Sequence, residues 1–234
     1  MYSPERNFSD WHLTGFSDAP AFLFETIDST HKLMKAKALA GEIQPGTLFV
    51  ADAQSDGHGR HERTWDSPAG KNLYFNILIP LDGIPPNRFA QITQVTALTF
   101  AEVFIRLQEE AGTAIRTAAR PEPTEKVTVK WPNDILFGKS KFCGILAEVV
   151  YAKIPASTGM TENTPRPVLN MGVGINVNSD PEDYAHIGRA VTTLKAIVGR
   201  PINREKLLQA LIGNLERAIG QFKAFGISPW ISAS

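Results

Sequence analysis

Two lysines eleven residues apart, Lys130 and Lys141, mark the part of the chain that points most directly to chemistry. Lys130 follows a predicted strand at residues 127–129, and Lys141 opens a predicted apolar strand at residues 142–150 that we expect to be buried on both faces. An ammonium group at the mouth of a hydrophobic sheet is costly unless an anion meets it. The sequence therefore predicts an anion site here.

A second group of charged and small residues lies in the polar segment at residues 54–70. Gly57 allows a sharp turn and close approach of the backbone to another group, while Arg60 and Arg63 offer planar, permanently charged forks for phosphate or carboxylate. The segment runs through Trp65 directly into a predicted buried strand. Taken alone, the segment suits a solvated loop with two surface arginines at least as well, but this continuation favours a loop that can close over a ligand.

The elements that must position these residues are a mixture of strands and helices. Strands are predicted at residues 21–26, 47–51, 72–79, 127–129, 135–137, 142–150 and 168–177. Helices are predicted after residues 28–30, at residues 88–110 and at residues 203–225, and surface loops at residues 116–126 and 153–166. Because residues 138–140 read as a hairpin between neighbouring strands, we expect an α+β fold with a mixed β-sheet flanked by helices.

Composition bounds the class of protein. The 234 residues, 43% hydrophobic and 21% charged, suit one folded domain, and 24 basic against 24 acidic side chains leave no net charge to attract nucleic acid or an anionic membrane. The single cysteine, Cys143, cannot form an internal disulfide and is expected to be an inert core thiol. With no signal peptide or membrane span predicted, a cytoplasmic protein is expected.

Six short segments together resemble the biotin protein ligase family, in the family's order and at compatible spacing. The resemblance covers the chain from about residue 22 to its end. The segments are residues 28–30 (Asp-Ser-Thr), residue 54 with residues 57–60 (Gly-His-Gly-Arg), residues 65–74 (Trp-Asp-Ser-Pro-Ala-Gly-Lys-Asn-Leu-Tyr), residues 130–134 (Lys-Trp-Pro-Asn-Asp), residues 141–146 (Lys-Phe-Cys-Gly-Ile-Leu) and residues 172–176 (Gly-Val-Gly-Ile-Asn).

The resemblance implies a fold, a reaction and partners. The fold is that of the biotin-lipoate ligase superfamily, which is similar to class II aminoacyl-tRNA synthetases. The reaction joins biotin to ATP as biotinyl-5'-AMP and then passes biotin to a lysine of a biotin carboxyl carrier protein. Attack of a carboxylate on the α-phosphate brings two anions together, so Arg60 and Lys141 are the expected catalytic residues.

The same resemblance implies the binding residues. Those expected for biotin are Ser29, Thr30, Gln54, Gly57, His58, Arg60, Lys141, Gly144 and Gly172. Those expected for ATP and the adenylate are Arg60, Arg63, Trp65, Lys130, Asn133, Asp134, Lys141 and Asn176. No residue is assigned as a metal ligand, and Mg²⁺ is expected to arrive on the ATP phosphates.

Several of these residues also have plain structural interpretations. Ser29 and Thr30 are suited to capping the following helix, Trp65 to packing in the core, and Gly172 and Gly174 to forming a bulge in a strand. Without the resemblance, the structural interpretations are favoured. With it, the binding interpretation is favoured for Arg60, Lys141, Gly57, Gln54 and Thr30. Trp65 is left divided because packing and stacking can coexist.

The sequence departs from the family at three site positions. The family usually has arginine where His58 stands and asparagine where His31 stands, and often glycine where Glu62 stands. If position 58 contributes mainly its backbone, histidine is tolerated; if it contributes charge, binding is weaker or depends on pH. Glu62 is an extra anion beside residues expected to bind phosphate.

The ends of the chain also differ from many bacterial members of the family. About twenty residues precede residue 21, too few for a helix-turn-helix domain, so DNA binding is not expected. The chain stops where a small C-terminal β domain would begin, so that domain is either lost or cut off, and a single catalytic domain at residues 1–234 is expected, with residues 1–20 as an N-terminal extension. An exposed sheet edge makes a homodimer plausible.

Two other functions fit parts of the pattern. A lipoate or octanoate ligase or transferase shares the superfamily fold and a lysine in the corresponding strand, although residues 57–60 and 130–134 argue for biotin. A biotin-binding module without turnover is raised by His58, Glu62 and the C-terminal difference.

Overall fold

The computed structural model describes residues 7–60, 63–115, 125–153 and 165–231. The strands in this part of the chain are β1 (Ala21–Ile27), β2 (Leu48–Gln54), β3 (Leu73–Pro80), β4 (Val127–Lys130), β5 (Asp134–Phe137), β6 (Ser140–Ala152) and β7 (Arg166–Ile175). The helices in this part are α1 (Thr30–Ala40), α2 (Phe89–Ile115), α3 (Leu194–Val198), α4 (Arg204–Phe225) and α5 (Ser228–Ile231).

Within these residues, the seven strands form one mixed sheet in the order β1-β2-β3-β7-β6-β5-β4. β1 runs parallel to β2, and the other neighbouring pairs of this sheet are antiparallel. The parallel pair needs a crossover, which α1 supplies. This architecture confirms the predicted α+β fold with a mixed sheet flanked by helices. In the described segments, no helix combines the length and the apolar character that crossing a membrane requires.

The alternation of side chains along β7 assigns the two faces of the sheet. Met171 and Val173 point into the main core, which the buried sides of α2 and α4 complete. Val168 belongs to a second, smaller cluster with Met34 of α1 on the opposite face. Gly172 and Gly174 each lie an even number of positions from Val168 along β7, so they lie on the same face, the α1 face. Because they have no side chains, they leave the sheet surface bare there.

The prediction that the strand at residues 142–150 is buried on both faces is wrong for its second half. Val150 and Ala152 are buried against α1, whereas Val149 is 37% and Tyr151 64% exposed. The main-core face is covered over the first half of β6 but not over its end. In the apolar run at residues 149–151, the middle residue therefore points to a buried face and its two neighbours point to an exposed one.

The N-terminal segment at residues 7–20 is part of the core rather than a mere extension. Trp11 and Phe16 are buried in the main cluster, and Trp11 packs edge-on against Phe8 at 4.9 Å between ring centroids. The guanidinium of Arg204 lies 5.1 Å from the Trp11 ring centroid and donates a hydrogen bond to Asp52 at 2.8 Å. Arg204 thereby links both the N-terminal segment and β2 to α4.

The remaining differences from the prediction concern element ends and short helices. α2 runs from Phe89 to Ile115 instead of 88–110, and α3, α5 and four short 3₁₀ helices of the described residues were not predicted. Most of the loops predicted at residues 116–126 and 153–166 lie outside the described residues, as do positions 61 and 62.

Replacing Trp11 by alanine is expected to lower the free energy of unfolding by about 3–5 kcal/mol, the usual cost of removing a large buried aromatic side chain. Trp131 is 72% exposed, so Trp131→Ala is a matched control that should change stability by less than about 0.5 kcal/mol. Urea unfolding followed by circular dichroism measures both. Equal midpoints for the two variants would contradict a packing role for the N-terminal segment.

Candidate active site

A pocket lies on the α1 face of the sheet, between the start of α1, the loop after β2 and strands β3, β7 and β6. It brings together ten of the residues predicted from the sequence: Ser29, Thr30, Gln54, His58, Arg60, Trp65, Asn133, Lys141, Gly144 and Gly172. Seven lining residues were not predicted: His31, Gly59, Asn76, Ile145, Leu146, Val173 and Gly174.

One side of the pocket, the cationic end, is formed by Lys141 and Arg60 with Asn133 and Asp134. Lys141 Nζ lies 2.6 Å from Asp134 Oδ1, and Asn133 Nδ2 donates to the same oxygen at 3.2 Å. Arg60 Nη1 donates to Asn133 Oδ1 at 3.0 Å, which ties the loop to the β4–β5 turn. Because an ammonium group has three N–H donors, Asp134 leaves others available to an incoming anion.

Trp65 lies against the sheet over two glycines that are cross-strand neighbours, Gly144 of β6 and Gly174 of β7. A Cβ atom at position 174 would lie 2.4 Å from the indole, and one at position 144 would lie 2.8 Å from it. Lys141 Nζ stands 5.1 Å from the ring centroid. The indole N–H is buried and has no hydrogen-bond partner among the described residues. Trp65 therefore both packs on the sheet and faces the pocket.

The other side of the pocket, the polar end, consists of Thr30, Gln54, Asn76 and Asn170. The Thr30 backbone N–H donates to Gln54 Oε1 at 2.9 Å, and Thr30 Oγ1 lies 2.8 Å from Asn76 Oδ1. Asn76 Nδ2 donates to Asn170 Oδ1 at 2.7 Å. Gly172 of β7 is the cross-strand partner of Asn76, so the polar end is displaced along β7 from Gly174 by two residues, about 7 Å.

Two structural interpretations raised from the sequence can now be decided. Ser29 does cap α1, because its Oγ accepts a hydrogen bond from Lys32 N at 3.4 Å, and it also lines the pocket. Gly172 and Gly174 do not form a bulge, because β7 pairs in unbroken register on both sides. The irregularity lies instead between Ile135 and Leu136, where β5 meets β6.

Two predicted loop residues lie outside the pocket lining. Gly57 is buried behind the loop, where its carbonyl oxygen accepts from Trp65 N at 2.8 Å. Arg63 is exposed, and its carbonyl oxygen accepts from Gly59 N at 2.7 Å. Their roles toward a ligand stay predictions. Glu62, one of the departures from the family, is not among the described residues.

Three predicted residues of the strands also lie outside the lining. Lys130 ends β4 with an exposed side chain, and its cross-strand partner Asp134 contacts the lining residues Lys141 and Asn133 without lining the pocket itself. Asn176 is buried beyond the end of β7, and its Nδ2 donates to the carbonyl of Thr192 at 3.3 Å. Their assignment to ATP stays a prediction.

The sequence contained a signal for the pocket amides that were missed. Asn76 and Asn170 are fully buried polar residues inside the apolar strands β3 and β7. Buried amides need partners, so an asparagine within an apolar run points to a polar site or network. Both asparagines lie on the α1 face, on the same side as the pocket.

Outside the pocket's lining, a reactive cysteine thiol or a cluster of acidic and histidine side chains that binds a metal would be a further site of chemistry. Burial raises the pKa of the Cys143 thiol far above its ordinary range, so this residue is a core thiol. Among residues 7–60, 63–115, 125–153 and 165–231, no three His, Cys, Asp or Glu side chains gather as a metal site requires.

The fold and the pocket define an α+β domain whose pocket is cationic at one end and polar and uncharged at the other. The profile of the biotin/lipoate A/B protein ligase family matches residues 23–160. The chain belongs to this family.

Individual relatives agree with the family. The bifunctional ligase/repressor BirA of Bacillus subtilis is 31% identical over 207 residues, which are 88% of this chain and 55% of that protein. The biotin--[acetyl-CoA-carboxylase] ligase of Mycobacterium tuberculosis is 26% identical over 83% of this chain and 62% of its own length. The chain thus spans little more than half the length of these curated relatives.

Among solved structures, the biotin protein ligase from Aquifex aeolicus in complex with biotin and ATP superposes with a TM-score of 0.61. It is 27% identical, and the match covers 88% of this chain and 72% of that one.

Replacing Gly174 by alanine is expected to displace the Trp65 indole, because the added methyl group would overlap the ring. Tryptophan fluorescence should therefore change in Gly174→Ala but not when the same substitution is made in a Trp65→Phe background. Gly220→Ala, on an exposed part of α4 where a Cβ meets nothing within 4 Å, is the control. Unchanged emission in Gly174→Ala would show that the ring does not rest on this strand.

Proposed function

We propose that the chain is an ATP-dependent biotin protein ligase that forms biotinyl-5'-AMP and transfers biotin to a lysine of a biotin carboxyl carrier protein. The observation that carries the proposal is the joining of a buried polar end and a cationic end in one pocket. The A. aeolicus protein named above, solved with biotin and ATP, supports the choice of ligands. The proposal concerns ligation and not the repressor function named for BirA.

The polar end supports biotin as the acid. Thr30 is 3% and Asn76 1% exposed, so the hydrogen-bonding groups that they turn to the pocket are shielded from bulk water. Such groups favour a ligand that offers hydrogen-bonding partners of its own and reject one that leaves them unpaired. The ureido ring of biotin has N–H donors and a carbonyl acceptor, whereas the dithiolane ring of lipoate has neither.

The cationic end supports acyl adenylation. In the first step, a biotin carboxylate oxygen attacks the α-phosphorus of ATP; an oxygen–phosphorus bond forms, and the bond to the β-phosphate oxygen breaks to release pyrophosphate. Lys141 and Arg60 offset the repulsion between the two anions and the charge that builds up in the transition state. Asp134 holds the Lys141 ammonium in place at 2.6 Å before the ligand arrives.

In the second step, the amine of the acceptor lysine attacks the acyl carbon. A carbon–nitrogen bond forms, the bond from the acyl carbon to the phosphate oxygen breaks, AMP leaves and the amine loses a proton. Until then the anhydride needs protection from water. The loop that carries Arg60 and Trp65 covers this end of the pocket and can provide it.

The proposal is tested by mixing the protein with biotin, ATP, magnesium and a purified carrier domain. Biotin-dependent release of pyrophosphate and labelling of one lysine on the carrier are expected. Labelling with lipoate in preference to biotin would indicate a lipoate ligase instead. Tight biotin binding without pyrophosphate release would indicate a binding module without turnover. The absence of both biotin binding and turnover would reject the proposal.

Lys141→Ala and Arg60→Ala are each expected to slow biotin-dependent ATP–pyrophosphate exchange by about 10²–10³-fold, since each removes a cation that meets developing charge. Lys139→Ala, an exposed lysine in the hairpin turn before β6, is the matched control and should exchange at the parent rate. Circular dichroism checks that the variants fold. Normal exchange in both Lys141→Ala and Arg60→Ala would refute the catalytic assignment.

A further inference from the structure

His31 stands at the back of the polar end and contacts it through one ring nitrogen. Its Nδ1 lies 3.1 Å from Asn76 Nδ2, and the side chain is only 14% exposed. Its other nitrogen, Nε2, lies 3.4 Å from Glu148 Oε2, and Glu148 is also paired with Lys35 of α1. His31 thus connects the pocket to an ion pair on the edge of α1.

The orientation of each amide in this network follows from a backbone carbonyl. The His31 carbonyl oxygen can only accept, so the group that faces it at 3.0 Å is Asn170 Nδ2. Asn170 therefore turns its oxygen to Asn76, which must present Nδ2 to that oxygen and to His31 Nδ1. His31 Nδ1 is then an acceptor, and the neutral ring carries its proton on Nε2, toward Glu148.

The same reasoning fixes what surrounds the Thr30 hydroxyl. Asn76 turns Oδ1 to it at 2.8 Å, and Gln54 turns Oε1 to it at 3.0 Å. Gln54 cannot be reversed, because its Nε2 donates to Ser67 Oγ, which itself donates to the carbonyl of Trp65. With acceptors on both sides, the hydroxyl gives its one proton to one of them, and its lone pairs stay available to a donor on the ligand.

We propose that neutral His31 is a positioning residue for the head group of the acid: it holds the Asn76 amide in the orientation that keeps the Thr30 hydroxyl an acceptor. This inference rests on the proposed function, since it names the part of biotin that is read, an N–H group of the ureido ring.

Protonation of His31 would undo this arrangement. Nδ1–H would face Asn76 Nδ2, donor against donor, and turning the Asn76 amide would set its oxygen against Asn170 Oδ1. The turned amide would also donate to Thr30 and occupy a lone pair that the ligand uses. Burial lowers the pKa of His31 below its ordinary value of 6.5, aided by Lys35 and His58 and opposed by Glu148, the charged groups that face it. The competent, neutral form therefore prevails at neutral pH and is lost in acid.

The test compares His31→Asn, His31→Ala and the parent protein by calorimetric titration with biotin alone, from about pH 7.5 down to about pH 5. An asparagine Oδ1 occupies the place of the histidine Nδ1 and accepts from Asn76 at every pH. His12→Asn is the matched control, because His12 is exposed and the hydrogen bonds described for it use only its backbone. Titration of biotin itself is common to all the proteins compared.

At about pH 7.5, His31→Asn should bind biotin within about threefold of the parent and His31→Ala about tenfold more weakly, as expected for one lost buried hydrogen bond. Toward pH 5 the affinity of the parent and of His12→Asn should fall together, while His31→Asn falls clearly less. In ATP–pyrophosphate exchange, His31→Ala should raise KM for biotin and leave KM for ATP unchanged, a separation that general destabilisation would not produce.

The outcomes distinguish failure of the proposed function from failure of the inference about His31 alone. If the parent binds no biotin at neutral pH, the proposed function fails and the inference with it. If the parent binds biotin but His31→Asn shows the parent's pH response, the inference alone is overturned. Should His31→Ala not fold, the comparison of His31→Asn with His12→Asn still decides.

Discussion

The ammonium group of Lys141 has to be held over an apolar sheet, and most of the construction of the pocket follows from that requirement. A charge in such a place is tolerated only with a partner at close range. Asp134 provides the partner at 2.6 Å, because Lys141 pairs with Leu136, two residues beyond Asp134 in β5, and its long side chain reaches back to that carboxylate. The Trp65 ring centroid lies 5.1 Å from the ammonium. The ring fits only because positions 144 and 174 lack side chains. The register of the β5–β6 hairpin, the two glycines and the loop that carries Trp65 thus all serve the position of the Lys141 ammonium.

The polar end follows a different rule, in which direction matters more than charge. Thr30, Asn76 and Asn170 are neutral and buried, so their stability in the core depends on each donor meeting an acceptor. The network meets this condition through a chain of fixed orientations that starts at a backbone carbonyl. A fixed chain gives the pocket a defined pattern of donors and acceptors before a ligand enters. Specificity for one head group over another then needs no large movement of the sheet.

Much of this could be predicted from the sequence, for identifiable reasons. The periodicity of apolar residues predicts the strands and the long helices. Charge at the edge of an apolar segment indicates Lys141 and Arg60 as site residues. The packing of Trp11 could not be predicted, because nothing local shows that a residue at position 11 meets Arg204. Exposure of Val149 was missed because an apolar run does not say where the helical layer above it ends. Asn76 was missed because its importance depends on a partner nearly a hundred residues away.

The two ends of the pocket are also linked through the loop, not only through the sheet. Gln54 ends β2 and belongs to the polar end, yet its Nε2 donates to Ser67, whose hydroxyl donates to the Trp65 carbonyl at 2.9 Å. Trp65 in turn lies beside Lys141 at the cationic end. A ligand group that competes for Gln54 therefore acts on the segment that carries the indole. The polar end and the indole beside Lys141 are thus joined by one short chain of hydrogen bonds.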